Sequence, residues 1–200
     1  MSAAPLHGLV LAGGLSSRMQ RDKAALQYEG QDQLSRAVAL LARHVAPVYV
    51  SVRATQVRDR LRSRWPMIVD SVAGEGPIAG IRSALAAHPD RAWLVIACDL
   101  PFLSDAALEH LIRQRDAQAP ATAYRSAHDG LPEPLCAIWE PRAAAMLAQY
   151  QDDGGKCPRK FLLRNAAPLV EPFDAQALDN INTPQEYATA LAVLPERATS

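Results

Sequence analysis

Two hundred residues, 49% hydrophobic and 21% charged, can bury one sizeable core and lie far from the composition of a disordered chain. The 21 Lys and Arg cancel the 21 Asp and Glu, which excludes a nucleic-acid binder driven by bulk charge and makes any anion site a local one. The first apolar run has no basic flank, no run approaches the roughly 18 residues of a membrane span, and three scattered cysteines form neither a CxxC pair nor a zinc pattern; a cytoplasmic protein with no membrane contact and no structural disulfide is expected.

In chain order, residues 6–11 are an apolar run that stops at Ala12-Gly13-Gly14, as a buried strand ending in a loop does. Helical spacing follows over 34–44, a β-branched strand over 47–52, and helical spacing again over 55–64 through Val57, Leu61 and Trp65. Residues 67–69 form a short strand and 77–88 a helix with proline in its first turn, while 92–97 (AWLVIA) is apolar at every position, as a strand covered on both faces should be. This alternation predicts an α/β fold: a Rossmann-like, three-layer, doubly wound and mostly parallel sheet. Further on, a helix over 104–115 stands behind a serine cap, strands occupy 122–124 and 135–139, and a helix over 141–150 opens with proline. After a polar break at 152–155 come helices over 156–164 and 183–194, the last with Thr183 as cap, Pro184 in its first turn and Glu186 placed to close a capping box. No repeat or linker divides the chain, so residues 1–200 are expected to form one domain, and the 195–200 tail is expected to fray.

Ligands of an open α/β sheet sit outside the carboxyl ends of its strands, and three of those ends carry chemistry. After the first strand, Gly13 and Gly14 let the backbone approach an anion, Ser16 and Ser17 add hydroxyl donors, and Arg18, Arg21 and Lys23 place three cations within six residues. The chain has only three lysines, so one here suits phosphate capture, although a tight turn with a solvated basic loop is the plainer reading of an isolated GG. There is no GxGxxG, and Gly154-Gly155-Lys156-Cys157 lacks the rest of a P-loop. Asp99 closes the most apolar strand, where an ionised carboxylate needs solvent, a cation or a metal beside it; Mg²⁺ bridging substrate phosphates is one partner, and capping the 101–104 turn is the alternative. Asp70 has the same placement one strand away, with a plain turn as its simpler reading. The five histidines show no ligand spacing, Trp139 reads as core, and Glu133-Pro134 reads as shaping a turn. Lys156 to Lys160 reads as a solvated helix start or as a contact for an anionic second substrate.

Together, LAGGxSxRMxxDKxxL at Leu11 to Leu26, GPIAGI at Gly76 to Ile81, CDLP at Cys98 to Pro101, EPLCAIW at Glu133 to Trp139 and NINTP at Asn180 to Pro184 resemble the MobA-like nucleotidyltransferases, and within them the molybdenum cofactor guanylyltransferases. The motifs span nearly the whole chain, although the first alone specifies only the superfamily. The resemblance implies transfer of GMP from Mg·GTP to the terminal phosphate of molybdopterin (the molybdenum cofactor), with release of pyrophosphate. It implies that Leu11, Ala12, Gly13, Gly14, Ser16, Gly76 and Pro77 line the nucleotide, that Lys23 and Arg18 stabilise the triphosphate, that Asp70 contacts the nucleotide, that Asp99 carries Mg²⁺, and that Asn180 and Asn182 lie on the pterin side. A nucleotide half over about 1–102, an acceptor half over about 103–195 and transient contacts with cofactor-donor and acceptor proteins belong to the same expectation. Gln20 stands where the family has glycine, and Arg53 lies near where it has asparagine, which leaves base selection open. Transfer of another nucleotide, a sugar 1-phosphate acceptor, and a nucleotide-binding protein without turnover are the competing readings.

Overall fold

The computed structural model describes residues 3–14, 19, 21–71 and 75–197, the last three of these by their backbone alone. β1 (Leu6–Leu11) ends at the glycines. A 3-10 turn at Lys23–Ala25 leads into a ribbon of two antiparallel strands, β2 (Gln27–Tyr28) and β3 (Gln31–Asp32), each too short to leave a periodic signature. Asp32 caps α1 (Gln33–Ala42) by accepting the Ser35 N–H at 2.8 Å, and β4 (Val48–Val52) follows.

The helix expected over 55–64 does not form; the chain makes separate 3-10 turns at Ala54–Gln56 and Arg62–Arg64. A side chain occupies an N–H that the helix would use, since Asp59 Oδ1 accepts from Arg62 N at 2.9 Å, while Gln56 Oε1 accepts from Arg53 N at 3.0 Å and caps only the first of the two turns. β5 (Met67–Val69) then leads to α2 (Pro77–Ala87), which starts at Gly76 with φ +67° and ψ −151°, backbone that only glycine adopts readily. β6 (Ala92–Ala97) is buried at all six positions.

The second half contains α3 (Asp105–Arg113), capped by Ser104, then β7 (Ala121–Arg125), β8 (Pro132–Trp139), α4 (Ala143–Asp152), α5 (Pro158–Arg164), β9 (Leu169–Val170) and α6 (Pro184–Arg197). Gly154 and Gly155 close α4: their N–H groups donate to Gln151 O and Tyr150 O, both at 2.8 Å, in the bonding pattern of a glycine C-cap. The capping box of α6 is made as expected, with Glu186 N–H on Thr183 Oγ1 at 3.2 Å and Thr183 N–H on Glu186 Oε2 at 3.1 Å.

The main sheet has seven strands in the order β5-β4-β1-β6-β8-β7-β9. β1 runs parallel to β4 and β6, β4 to β5, and β7 to β9, while β8 is antiparallel to both of its neighbours. One core lies between the sheet and α1 with α3, around Leu34, Leu41, Leu108 and Leu111; the other lies under α2, α4 and α5, around Ile78, Leu147, Phe161 and Trp139. The sheet is therefore the middle layer of three. A third, smaller cluster joins Met19, Leu26 and Tyr28 to Ile181, Ala190 and Leu194, and ties α6 to the ribbon that follows the glycine turn.

Candidate active site

From β1 the chain crosses to β4 and β5 on one side and later returns to β6 on the other, so the order of the sheet switches beside β1. At such a point the connections diverge and open a crevice outside the strand ends. The glycine turn follows β1 there, Ser51 and Arg53 lie at the end of β4, Asp70 follows β5, and Asp99 lies two residues beyond β6. Because β8 is antiparallel to β6, its first residues reach the same edge. Glu133 therefore lies inside a strand and lines the cleft, where a turn was expected.

Lys23 is the meeting point. Its Nζ donates to Asp99 Oδ2 at 2.7 Å and to Asn182 Oδ1 at 2.6 Å, and Asn182 Nδ2 donates to Asn180 Oδ1 at 2.9 Å. The Asp99 carbonyl accepts the Ile181 N–H at 3.1 Å, which fixes the NINTP segment against the end of β6. Lys23 and Asp99 are 17% and 20% exposed through their side chains, so the pair is shielded and still reachable from solvent.

Asp70 faces the glycine turn. Its Oδ1 accepts from Ser51 Oγ at 2.7 Å, and its Oδ2 lies 3.3 Å from where a Cβ on Gly13 would stand. Burial pushes its carboxyl above the usual carboxylate range, against the opposing effects of the Ser51 hydroxyl and the Arg53 guanidinium. Leu11 and Ala12 are engaged in the fold: the Leu11 carbonyl accepts from Cys98 N at 3.1 Å, and the Ala12 N–H donates to Ser51 O at 3.2 Å. Gly76 and Pro77 begin α2. Ser16 and Arg18 lie outside the described residues.

A cleft of about 860 Å³ opens next to Asp99 and is lined on the other side by Glu133, Arg159, Asp179 and Asn180. Arg159 Nη1 donates to Asp129 Oδ2 at 2.8 Å and its Nη2 to Glu133 Oε2 at 3.1 Å, so the basic stretch over 156–160 sends one guanidinium into the cleft wall. His128 pairs with Asp179 at 2.7 Å, and that hydrogen bond holds the imidazole above its ordinary pKa. Trp139 is fully buried, as expected.

Sequence reasoning read Glu133 as shaping a turn and singled out neither Ser51 nor Arg62, whose side chain is 2% exposed. Ser51 sits in a strand pattern where a hydroxyl carries no special signal, and Arg62 is one of five arginines between positions 53 and 64. Among the described residues no group of three His, Cys, Asp or Glu could hold a metal unaided. Asp99 alone fits a hard divalent cation that completes its shell with phosphate oxygens and water.

A doubly wound sheet with a glycine turn, a lysine and a carboxylate gathered at its switch point is a nucleotidyltransferase fold. The MobA-like NTP transferase domain model matches residues 8–169, and the chain belongs to that family. It is 37% identical over 187 residues to the molybdenum cofactor biosynthesis bifunctional protein of Synechocystis, covering 94% of this chain and 54% of that one, so it spans about half of that relative. It is 32% identical to the molybdenum cofactor guanylyltransferase of Pseudomonas paraeruginosa, covering 92% and 93% of the two chains. The solved structure of molybdopterin-guanine dinucleotide biosynthesis protein A from Archaeoglobus fulgidus superposes with a TM-score of 0.79 at 26% identity, over 95% of this chain and 99% of that one.

Proposed function

We propose that the chain transfers GMP from Mg·GTP to the terminal phosphate of molybdopterin or molybdenum cofactor and releases pyrophosphate. Enzymes of this family use a divalent metal, and Mg²⁺ is the ion that best suits a single carboxylate with phosphate ligands. The observation that carries the reading is the Lys23 ammonium, held at once by the carboxylate that ends the central strand and by an asparagine of the NINTP segment. In this reading that cation joins a nucleotide side, residues 1–102, to an acceptor side, residues 103–195.

In this reading the acceptor oxygen attacks the α-phosphorus in line, so the protein's task is to position both substrates and to offset charge that builds on the leaving pyrophosphate. Lys23, with Arg18, meets that charge, and the backbone from Leu11 through Gly14, with Ser16, supplies fixed donors around the nucleotide. Asp70, Gly76 and Pro77 bound the nucleoside. Asp99 would hold the metal, which when bound would supply Lewis-acid stabilisation of the charge on the phosphates. Asn180 and Asn182 face the pterin substrate, and Arg159 offers the cleft wall's guanidinium to an anionic acceptor. Release of the acceptor from a donor protein and handover of the product to an apoenzyme complete the proposal.

Arg53, which stands beside the glycines with its Cγ 3.6 Å from a Cβ placed on Gly13 and near where the family has asparagine, leaves one second reading, in which another base such as cytosine is taken by the same machinery. The test is pyrophosphate release with Mg²⁺ and each of GTP, CTP, ATP and UTP, with and without molybdopterin. Release with GTP and molybdopterin together supports the proposal. Release with CTP transfers it to the second reading, and silence with every pair refutes molybdopterin nucleotidyl transfer.

A further inference from the structure

We propose that Arg62 is a positioning residue of the nucleotide site, clamping the glycine turn and the Lys23 segment into one rigid unit. The inference rests on the nucleotidyl-transfer reading above and assigns a part to a residue outside every motif of the chain.

Arg62 is 2% exposed, and a guanidinium so deep in a protein is tolerated only when its donors are matched. Its Nε donates to the Ala12 carbonyl at 3.0 Å, its Nη1 to Asp22 Oδ2 at 2.7 Å and its Nη2 to Asp22 Oδ1 at 2.9 Å, while Nη1 also reaches Asp59 Oδ1 at 3.2 Å. One planar fork therefore bonds the first peptide of the glycine turn and the residue immediately before Lys23.

Each bond has a consequence at the site. A trans peptide is planar, with its C=O and the following N–H pointing in opposite directions. Drawing the Ala12 oxygen onto Arg62 therefore turns the Gly13 N–H away from Arg62, and the orientation of that donor is no longer left to a flexible glycine. Asp22 Oδ1 also accepts the Ala24 N–H at 3.1 Å and so starts the 3-10 turn whose first residue is Lys23. With both oxygens on Arg62, the Asp22 carboxylate is neutralised and directed away from the neighbouring ammonium, which is bound instead to Asp99 and Asn182. An unpaired Asp22 would set a negative charge beside the cation that meets the phosphates. Lysine cannot replace the clamp, because a single ammonium does not present the in-plane fork that spans a carbonyl and a bidentate carboxylate.

The test compares Arg62→Lys and Asp22→Asn with the wild type for kcat, KM and MgGTP affinity by calorimetry, each alone and combined with Lys23→Met. Misplacement of reacting groups by about 1 Å costs on the order of 100-fold, so Arg62→Lys should lower kcat by about that factor while KM for molybdopterin stays near the wild-type value. With Lys23→Met already present, adding Arg62→Lys should cost about tenfold or less, since the part of the loss that acts through Lys23 is already gone and only the Gly13 donor remains to be misplaced. A kcat within about threefold of wild type, or full multiplication of the two losses, overturns the proposal. Should Arg62→Lys fail to fold, Asp22→Asn, which keeps the side-chain shape and removes the charge, carries the same comparison. Wild-type protein that binds MgGTP without turnover would sink the transfer reading alone; the clamp is then judged by MgGTP affinity, which Arg62→Lys should weaken about tenfold through the misplaced donors and an unchanged value overturns. Wild-type protein that binds no nucleotide overturns both.

Discussion

Gly80 separates two opposing effects that act on the same atom. It lies in α2 with its backbone pressed against the sheet: a Cβ there would stand 2.8 Å from Leu11 Cδ2 and closer still to Ser51 Oγ, inside distances that real Cβ atoms show. Helix propensity alone predicts that Gly80→Ala stabilises the chain by about 1 kcal/mol. Overpacking of a full core costs about 1–3 kcal/mol, and the added methyl displaces the hydroxyl that Ser51 gives to the buried Asp70 carboxylate, a bond to a charged group worth about 1.5–3 kcal/mol. The net expectation is a loss of about 3 kcal/mol, a fall in Tm of roughly 6–12 °C for a chain of this size. Urea denaturation should show a lower midpoint at unchanged slope, and Ser51→Ala combined with Gly80→Ala should be less destabilised than the sum of the single variants, because they share one collision. If Gly80→Ala instead matches or exceeds wild-type stability, α2 does not approach β1 and β4 as described, and the support inferred for Asp70 fails with it.

Removing either half of the central pair, by Lys23→Met or Asp99→Asn, should lower pyrophosphate release by about 100-fold or more; near-normal rates in both would place the chemistry elsewhere. Arg159→Ala should raise KM for the anionic acceptor while leaving KM for the nucleotide near its wild-type value, and a change confined to the nucleotide would reverse the assignment of the two sides. Asp70 gives a pH test whose sign follows from burial. Its folded pKa lies above the unfolded value of 3.8, so the folded state holds its proton more tightly and stability falls as pH rises from 3.8 through the raised value. Asp70→Asn should therefore be more stable than wild type near pH 7, with the advantage shrinking as the pH is lowered toward 3.8; thermal melts across that range that show a constant difference would contradict the assignment.

The framework was legible because two strands are apolar at nearly every position: LHGLVL and AWLVIA could only be covered on both faces, and the glycines and Asp99 then fell at their ends. The caps on α3 and α6 were local chemistry and could be read from four residues each. The stretch after β4 misled because Val57, Leu61 and Trp65 have helical spacing while the Asp59 side chain takes the Arg62 N–H, a competition that periodicity does not register. Arg62 was illegible for a different reason. Five arginines occupy positions 53 to 64, and what draws this one inward is the Ala12 carbonyl and the Asp22 carboxylate, which lie 50 and 40 residues earlier in the chain. Glu133 was hidden by direction, since only knowing that β8 runs against β6 brings its first residues to the ligand edge.

The contacts of Lys23 argue for function more strongly than for stability. Its partners lie 76 and 159 positions away, so holding them together orders three distant segments around one ammonium. A solvent-reachable ion pair contributes only about 0–1 kcal/mol, too little to account for that cost in ordering. The same groups become valuable when charge develops beside them, because donors and cations fixed in advance need no reorganisation at the moment of reaction. Their fixing comes from elements outside the site: the capping box of α6 sets Asn182, whose own N–H donates to Glu186 Oε2 at 2.6 Å, and the Arg62 bonds set the segment that carries Lys23. Asn182→Ala separates the two accounts, since a structural contact would show as a lower Tm with turnover nearly intact, whereas a positioning contact would lower kcat with Tm unchanged. The shielded geometry of the ammonium favours the second outcome.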